Sequence, residues 1–334
     1  MSLLELRDLR VTYRSERGDV PAVRGVSLTI ERGQTVGLAG ESGCGKSTIA
    51  GAVLRLLPKG TLVEGSILFD GEDVYEMTPG RLRAVRWSGA AIVFQGALHS
   101  LNPVRRVGSQ IEEAIMLHSA DLGLDRSQAR RRVGELLERV GLRVDRARSY
   151  PHQMSGGQRQ RVLIALALAC EPDLLIADEP TTALDVMVQA QVLALLAELQ
   201  ADRGLALLFI THDLSVLNSV CERLMVMYAG RVVEEGPSRE LFADPRHPYG
   251  RALSQAFPTI GDRASRMHPT GLPGDPPDPA ALPSGCAFHP RCDVAIDECS
   301  ALDVALRDVN AGHRAACVHV EPPNKRVTNK SVTS

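Results

Sequence analysis

The sequence predicts an α/β fold: a P-loop core with an antiparallel β-subdomain, a helical insertion, and a small irregular Cys-containing C-terminal extension. Three observations carry that prediction. The segment Gly40-Glu41-Ser42-Gly43-Cys44-Gly45-Lys46-Ser47-Thr48 fits G-x-x-x-x-G-K-[ST] at every fixed position. Apolar strand-like runs alternate with helical patterns from there to Tyr228. From about residue 237 the composition shifts towards proline and cysteine.

The phosphate loop is read in its setting. Thr35-Val36-Gly37-Leu38-Ala39 before it predicts a buried strand, and Ile49 to Leu57 after it predicts a helix. Strand, loop and helix in that order are what such a loop requires. Gly40, Gly43 and Gly45 let backbone N–H groups curl around an anion, with Ser42 and Cys44 between them. The helix N-terminus adds partial positive charge. Lys46 is placed to reach the terminal phosphates, and the Ser47 hydroxyl, next to Thr48, to ligate Mg²⁺. Taken alone, the motif could still be a Gly-rich turn that matches by chance.

A second motif removes that alternative. Leu174-Leu175-Ile176-Ala177 is an apolar strand ending in Asp178 and Glu179. Asp178 is placed to hold Mg²⁺, directly or through water. Glu179 is placed to polarise an attacking water. Ordinary polar residues at a strand end would look the same in isolation. The order behind a phosphate loop favours the functional reading.

The third motif is Met154-Ser155-Gly156-Gly157-Gln158, which precedes a helical stretch reaching Cys170. Ser155 and two glycines at a helix start make a second anion site. One nucleotide does not need two such sites in one chain. This motif resembles the ABC ATPase signature, with Met154 for the usual Leu, and the resemblance covers residues 1 to about 240. It implies a dimer in which the signature of one subunit closes over the ATP held by the loop of the other.

The resemblance extends to smaller elements. Tyr13 resembles the aromatic residue that stacks on adenine. Gln95 resembles the Q-loop glutamine that ligates Mg²⁺ or the lytic water and senses a membrane partner. Ala183-Leu184-Asp185 resembles the D-loop at the dimer interface, and His212 the switch histidine of the γ-phosphate. Packing for Tyr13 and a satisfied polar role for His212 are the plain alternatives. Gly96-Ala97 follows Gln95 where the family often has Asp-Pro, which changes the expected loop shape.

Strands are expected at 3–13, 27–30 and 64–69 in the antiparallel sheet, and at 35–39, 91–94, 173–177, 205–210 and 223–228 in a mainly parallel core. The nucleotide-binding domain is expected over 1–236, with a helical subdomain at about 97–170. In that subdomain Val133, Leu136, Leu137 and Val140 share one helix face, with Ser127 as the expected cap. Arginines from Arg126 to Arg148 are interleaved with Asp125, Glu135, Glu138 and Asp145. That pattern reads as a solvated helix face and not as a nucleic-acid surface.

Bulk properties agree. The chain of 334 residues is 44% hydrophobic but only 4% aromatic, so the core must be aliphatic. A net charge of -2 gives no general pull towards nucleic acid or anionic lipid. The start of the chain lacks a basic region before a long apolar core, so no signal peptide is expected. The longest apolar run, Val162 to Cys170, falls far short of the ~20 residues of a spanning helix. The expectation is a chain peripheral to the cytoplasmic face of the membrane, bound there by partners.

DNA-repair and chromosome ATPases share such a head but insert a long coiled coil between loop and signature; no sustained heptads separate Ser47 from Ser155. Translation-associated ATPases carry two heads, and this chain has one. A transporter ATPase is the first reading, and a cytosolic accessory ATPase of the iron–sulfur assembly type the second.

The extension, 237–320, sharpens the first. His247-Pro248-Tyr249 opens a short helix, a proline-rich stretch follows from Pro258, and Cys286, Cys292, Cys299 and Cys317 come after it. Disulfides are not expected in the cytosol. Four thiols in a segment with little apolar core suggest a metal staple. The spacings of five, six and seventeen intervening residues are wider than zinc pairs usually show. The extension resembles that of dipeptide and oligopeptide importer ATPases, some of which carry nickel or sugars. The resemblance implies ATP, Mg²⁺ and a [4Fe–4S] cluster on the four cysteines; zinc, with His289, His313 and His319 as alternative ligands, is the second option, and four reduced cysteines without metal are the plain alternative. It also implies a second ATPase subunit, two permease subunits and an external solute-binding protein. Residues 321–334 read as a disordered tail.

Overall fold

The computed structural model describes residues 2–16, 18–94, 100–182, 184–256, 272, 274–310 and 312–320. Two sheets organise them. In the first, β1 (Ser2–Ser15), β2 (Gly18–Glu31), β4 (Leu62–Phe69) and β5 (Glu72–Asp73) lie in the order β2-β1-β4-β5. All its pairings are antiparallel. Leu4, Leu6, Leu9 and Val11 turn inward while Arg7, Asp8 and Arg10 face solvent. The spacing from Leu6 to Leu9 breaks strict alternation. The pairing with β2 shifts register there, and Asp8 takes a left-handed φ of 46°.

The second sheet is built on β3 (Thr35–Ala39), β6 (Ala90–Val93), β7 (Leu174–Asp178), β8 (Ala206–Thr211) and β9 (Arg223–Tyr228). These pair in parallel in the order β9-β3-β8-β7-β6. β3, β7 and β8 are buried at every position, as parallel strands covered on both faces require. Helix α1 (Lys46–Val53) follows β3 across the loop 40–45.

The helical insertion contains α3 (Val107–Leu117) and α4 (Arg126–Arg139), after the short α2 (Pro79–Ala84) of the first lobe, and leads into α5 (Gly156–Ala167). Val133, Leu136, Leu137 and Val140 are all buried. The expected cap is corrected: Asp125, not Ser127, closes the N-terminus of α4. The Asp125 carboxylate accepts from the backbone N–H of Ser127 and Gln128, and Gln128 Oε1 accepts from Asp125 N–H. Asp125 is extended and carries the negative charge the helix dipole favours, whereas Ser127 is already inside the helix. The arginines of this face find carboxylates: Arg126 and Arg130 share Glu112, and Arg131 meets Glu135.

The extension is less irregular than its sequence suggests. After α6 (Val186–Arg203), α7 (Leu214–Val220), β10 (Arg231–Pro237), α8 (Ser238–Ala243) and α9 (Pro248–Ala256), two short strands, β11 (Arg307–Asn310) and β12 (His313–Ala315), lengthen the core sheet to β11-β12-β10-β9-β3-β8-β7-β6. Neither short strand has enough apolar alternation to be read alone. A polar anchor holds them. Glu234 is fully buried and receives Arg246 N–H at 2.5 Å, His247 N–H at 3.2 Å and His313 Nε2 at 2.8 Å. Arg314 pairs with Glu235 beside it. Tyr228, Tyr249 and Phe288 form an aromatic cluster with centroids 4.6–5.3 Å apart. No helix among the described residues is long and apolar enough to cross a membrane.

Candidate active site

The phosphate loop joins β3 to α1 through backbone conformations that exclude side chains. Gly45 caps α1 at φ 104°, where an added Cβ would lie 2.2 Å from the Ala22 carbonyl oxygen. At Gly40, φ 154°, it would lie 2.3 Å from that of Met227. Lys46 is buried, and its Nζ donates to the carbonyls of Gly40 at 2.7 Å and Glu41 at 2.9 Å. The ammonium is thus held at the mouth of the loop by weak neutral acceptors that an anion can replace.

Tyr13, Ser42, Gly43, Gly45, Lys46, Ser47, Thr48 and Glu179 line one cavity of about 270 Å³. The Tyr13 hydroxyl lies 3.1 Å from Thr48 Oγ1, tying the end of the β1–β2 hairpin to α1. Asp178 ends β7 almost fully buried. Burial pushes its carboxyl up; a hydrogen bond from Ser47 opposes that, and the charge of Glu179 adds to it. Asp178 Oδ1 finds no hydrogen-bond partner among the described residues. A buried carboxylate oxygen left open beside a serine hydroxyl fits a hard divalent cation such as Mg²⁺.

Glu179 holds a left-handed φ of 47°, unusual for a side chain with Cβ. Its Oε2 accepts from Thr182 Oγ1 at 2.8 Å, and its Oε1 faces His212 Nδ1 at 3.4 Å. That contact is the main cause of a lowered Glu179 carboxyl and a raised His212 imidazole. The two residues named separately from the sequence are therefore neighbours.

Ser155 caps α5: its Oγ accepts from Gln158 N–H at 3.3 Å, and Gln158 Oε1 accepts from Ser155 N–H at 3.2 Å. A Cβ on Gly157 would meet Val188 Cγ1 at 2.3 Å, and one on Gly156 would approach Leu184. The signature is thus packed on the start of α6, whose cap is Asp185, accepting from Val188 N–H at 3.0 Å. None of Ser155 to Gln158 lines the phosphate-loop cavity. Gln95 lies outside the described residues, as do Ala183, residues 257–271 and the tail from 321.

All four cysteines of the extension are free thiols, with Cys299 and Cys317 buried and Cys286 and Cys292 half-buried. Cys286 N–H donates to Cys299 O at 2.9 Å. Burial is the main cause that pushes the Cys286, Cys292 and Cys317 thiols up, with smaller effects from their neighbouring cysteines. Among the described residues, no group of three or more His, Cys, Asp or Glu side chains is arranged to hold a metal ion. The histidines named as further ligands have other partners: His289 faces Cys286 O, His313 faces Glu234, and His319 faces Val294 O.

Three residues at the loop escaped the sequence reading. Glu41 sits at a variable position of the motif, Tyr249 looks like the core of a short helix, and Arg291 lies among the cysteines. The carboxylate of Glu41 is paired with Arg291, and its backbone N–H donates to Tyr249 OH at 2.8 Å. Only tertiary structure brings positions 41, 249 and 291 together.

These features define an ATP-binding cassette, and comparison with known proteins places it. The family model described as ABC transporter matches residues 23–182, and the one described as oligopeptide/dipeptide transporter, C-terminal region matches residues 233–299. A putative peptide import ATP-binding protein of Brucella ovis is 43% identical over 330 residues, which cover 95% of this chain and 96% of the relative. An oligopeptide transport ATP-binding protein of Salmonella typhimurium is 44% identical over 300 residues, covering 89% and 88%. Among solved structures, a dimeric ATP-binding cassette in a post-hydrolysis state bound to ADP and phosphate superimposes with a TM-score of 0.63 at 30% identity, covering 71% of this chain and 99% of that one. The chain belongs to the ABC transporter family, and it is an ATPase of that family.

Proposed function

We propose that this chain hydrolyses ATP to power the import of dipeptides or oligopeptides through partner membrane permeases. The observation that carries this is the joining, in one chain, of a complete cassette to the oligopeptide/dipeptide C-terminal region. That region is what weighs against a cytosolic accessory ATPase. The names of the Brucella and Salmonella relatives support the same substrate class.

In this reading Lys46 exchanges the carbonyls of Gly40 and Glu41 for β- and γ-phosphate oxygens. The loop glycines, Ser42, Cys44 and Thr48 supply the cradle, and Tyr13 the stacking surface for adenine. Ser47 and the open Oδ1 of Asp178 hold Mg²⁺, with Gln95 as a further ligand. Bound Mg²⁺ supplies charge neutralisation on the transferring phosphoryl group. Glu179 accepts a proton from the attacking water, and its low pKa keeps it ionised for that role. His212 releases Glu179 and turns to the γ-phosphate. Ser155, Gly156, Gly157 and Gln158 act on the nucleotide of a second ATPase subunit, with Asp185 at the shared interface. Their absence from the phosphate-loop cavity of their own chain supports that division of labour.

Docking to a permease is supported by an apolar cavity of about 320 Å³ between the core and the insertion. Leu56, Trp87, Phe94, Ser100 and Leu163 line it, with Phe94 47% exposed. Two permease subunits, a second ATPase and an external solute-binding protein complete the assembly, at the cytoplasmic face of the membrane. The four cysteines hold a [4Fe–4S] cluster in this reading. Four free thiols in one small lobe, within an extension of the oligopeptide/dipeptide type, support it. Its part is structural or regulatory, since phosphoryl transfer involves no electron transfer.

The test is reconstitution with the two permeases and the binding protein in liposomes. ATP turnover is expected to rise when peptide-loaded binding protein is added, and Ser100→Cys to crosslink to a permease cytoplasmic loop. Turnover indifferent to peptide but stimulated by another solute would overturn the substrate assignment.

A further inference from the structure

The phosphate loop is gripped from outside by the C-terminal lobe, and the grip converges on one residue. Arg291 binds Glu41 with both arms, Nη1 to Oε2 at 2.6 Å and Nη2 to Oε1 at 3.0 Å. The Arg291 side chain is only 7% exposed and that of Glu41 21%. Its guanidinium lies 5.9 Å from the ring centroids of both Tyr228 and Phe288, and Nη1 also reaches Tyr228 OH at 3.3 Å. A planar fork packed among rings loses little freedom on pairing, which makes this a directional contact and not a loose surface bridge. The backbone of Glu41 is held as well. Its N–H donates to Tyr249 OH, and its carbonyl accepts from Lys46 Nζ.

We infer that Arg291 is a positioning residue for ATP binding: through Glu41, the C-terminal lobe fixes the phosphate loop in the shape that receives the nucleotide. Glu41 follows Gly40, whose φ of 154° leaves the loop entrance conformationally free unless something outside holds it. Three hydrogen bonds do so, one with Tyr249 OH and two from Arg291, all with elements beyond residue 247. Pro279 of the same lobe also lines the phosphate-loop cavity, so the lobe closes one wall of the site. Arg291 immediately precedes Cys292 in a single tight turn, His289–Arg291. The fold around the cysteines thereby sets where the guanidinium stands. The inference rests on the reading that this loop holds ATP.

The experiment measures Mg²⁺ with a fluorescent ATP analogue on the full-length chain, and steady-state ATPase kinetics on the permease complex. Lys46→Ala serves as the control; if it binds as tightly as wild type, the loop is not the nucleotide site and the prior reading fails. With that control in place, Arg291→Ala and Glu41→Gln are each expected to raise the Kd about three- to tenfold, in step with KM and with kcat within about twofold. The double variant is expected to be no weaker than the worse single one, because both remove one contact. Arg291→Lys, which keeps the charge but not the fork, is expected to fall between wild type and Arg291→Ala. Should Arg291→Ala fail to fold, Glu41→Gln carries the test, since it leaves the aromatic packing of Arg291 in place. Wild-type affinity in Glu41→Gln, or losses that multiply in the double variant, would overturn the inference.

Discussion

His212 Nδ1 stands 3.4 Å from Glu179 Oε1, so the residue expected at the γ-phosphate and the residue expected to activate water begin as partners of each other. Each changes the other's chemistry: the carboxyl is lowered and the imidazole raised, chiefly through this contact. The pair also occupies one oxygen of Glu179.

Glu179→Gln keeps the shape and removes the base. Nucleotide binding is expected to persist, with hydrolysis slowed ~10²–10⁴-fold as for loss of a general base, and ATP-bound dimers to accumulate on size exclusion. The same substitution removes the charge facing His212, so the imidazole pKa should fall towards its ordinary value. With wild type, the raised pKa means the charged pair is present below that value and dissolves as pH climbs through it. Titration by NMR of His212 checks this, and an unmoved pKa would break the link between the residues.

Lys46→Ala is expected to weaken nucleotide binding itself, and Gly45→Ala to do so by a different route. The new Cβ would sit 2.2 Å from Ala22 O at φ 104°, so the loop must shift. Strain of this kind costs about 1–3 kcal/mol. Calorimetric titration with Mg²⁺-ATP should show both losses, while only Gly45→Ala lowers the melting temperature appreciably. A Gly45→Ala protein as stable as wild type would mean that the hairpin of Ala22 yields.

Much of this site is legible in the sequence because its signals are local. A phosphate loop needs glycines at fixed offsets, and β3 and β7 are continuous apolar runs because both faces of the sheet are covered. The α4 face is equally plain, although its cap is ambiguous in the sequence because Asp125 and Ser127, two residues apart, both offer a capping oxygen. What was not legible depends on distant pairs. β12 contributes only three residues, and its pairing with β10 rests on His313 and Arg314 meeting Glu234 and Glu235. Nothing local marks Arg291 as a partner of Glu41, because the two stand on separate elements far apart along the chain.

The anchor of the extension should respond to pH. His247 is buried, donates to the carbonyl of Ala316 and accepts Tyr249 N–H at Nδ1, a pattern that suits the neutral ring. Burial pushes its pKa down to about 4 from an ordinary 6.5. The unfolded chain therefore binds the proton first. The contribution of His247 is fully present above about pH 6.5 and is lost as pH falls towards 4, of order 3 kcal/mol in all. Limited proteolysis between pH 7.5 and 5 should show earlier release of the extension on acidification, and His247→Asn should flatten that dependence. An extension equally protected at both pH values would remove His247 from this role.

The proposed metal centre offers the sharpest test of the lobe. Cys286, Cys292, Cys299 and Cys317 are reduced, and burial holds the thiols of Cys286, Cys292 and Cys317 protonated well above neutral pH. A thiol in that state is a poor ligand until a cation offsets the cost of ionising it, so metal binding should release protons. Anaerobically purified protein is expected to be brown and to absorb broadly near about 400 nm, as thiolate-bound iron–sulfur centres do. Cys292→Ser should bleach it. Chelation of the iron should loosen the lobe, because so short a segment has little apolar core of its own: among the described residues beyond 274, only Phe288, Cys299, Ala315, Cys317 and Val320 are buried apolar residues. Colourless protein holding one zinc per chain would replace the cluster with a zinc staple. Metal-free protein of undiminished stability would leave the Glu234 anchor and the aromatic cluster as sufficient to hold the lobe, and would remove the metal from the account.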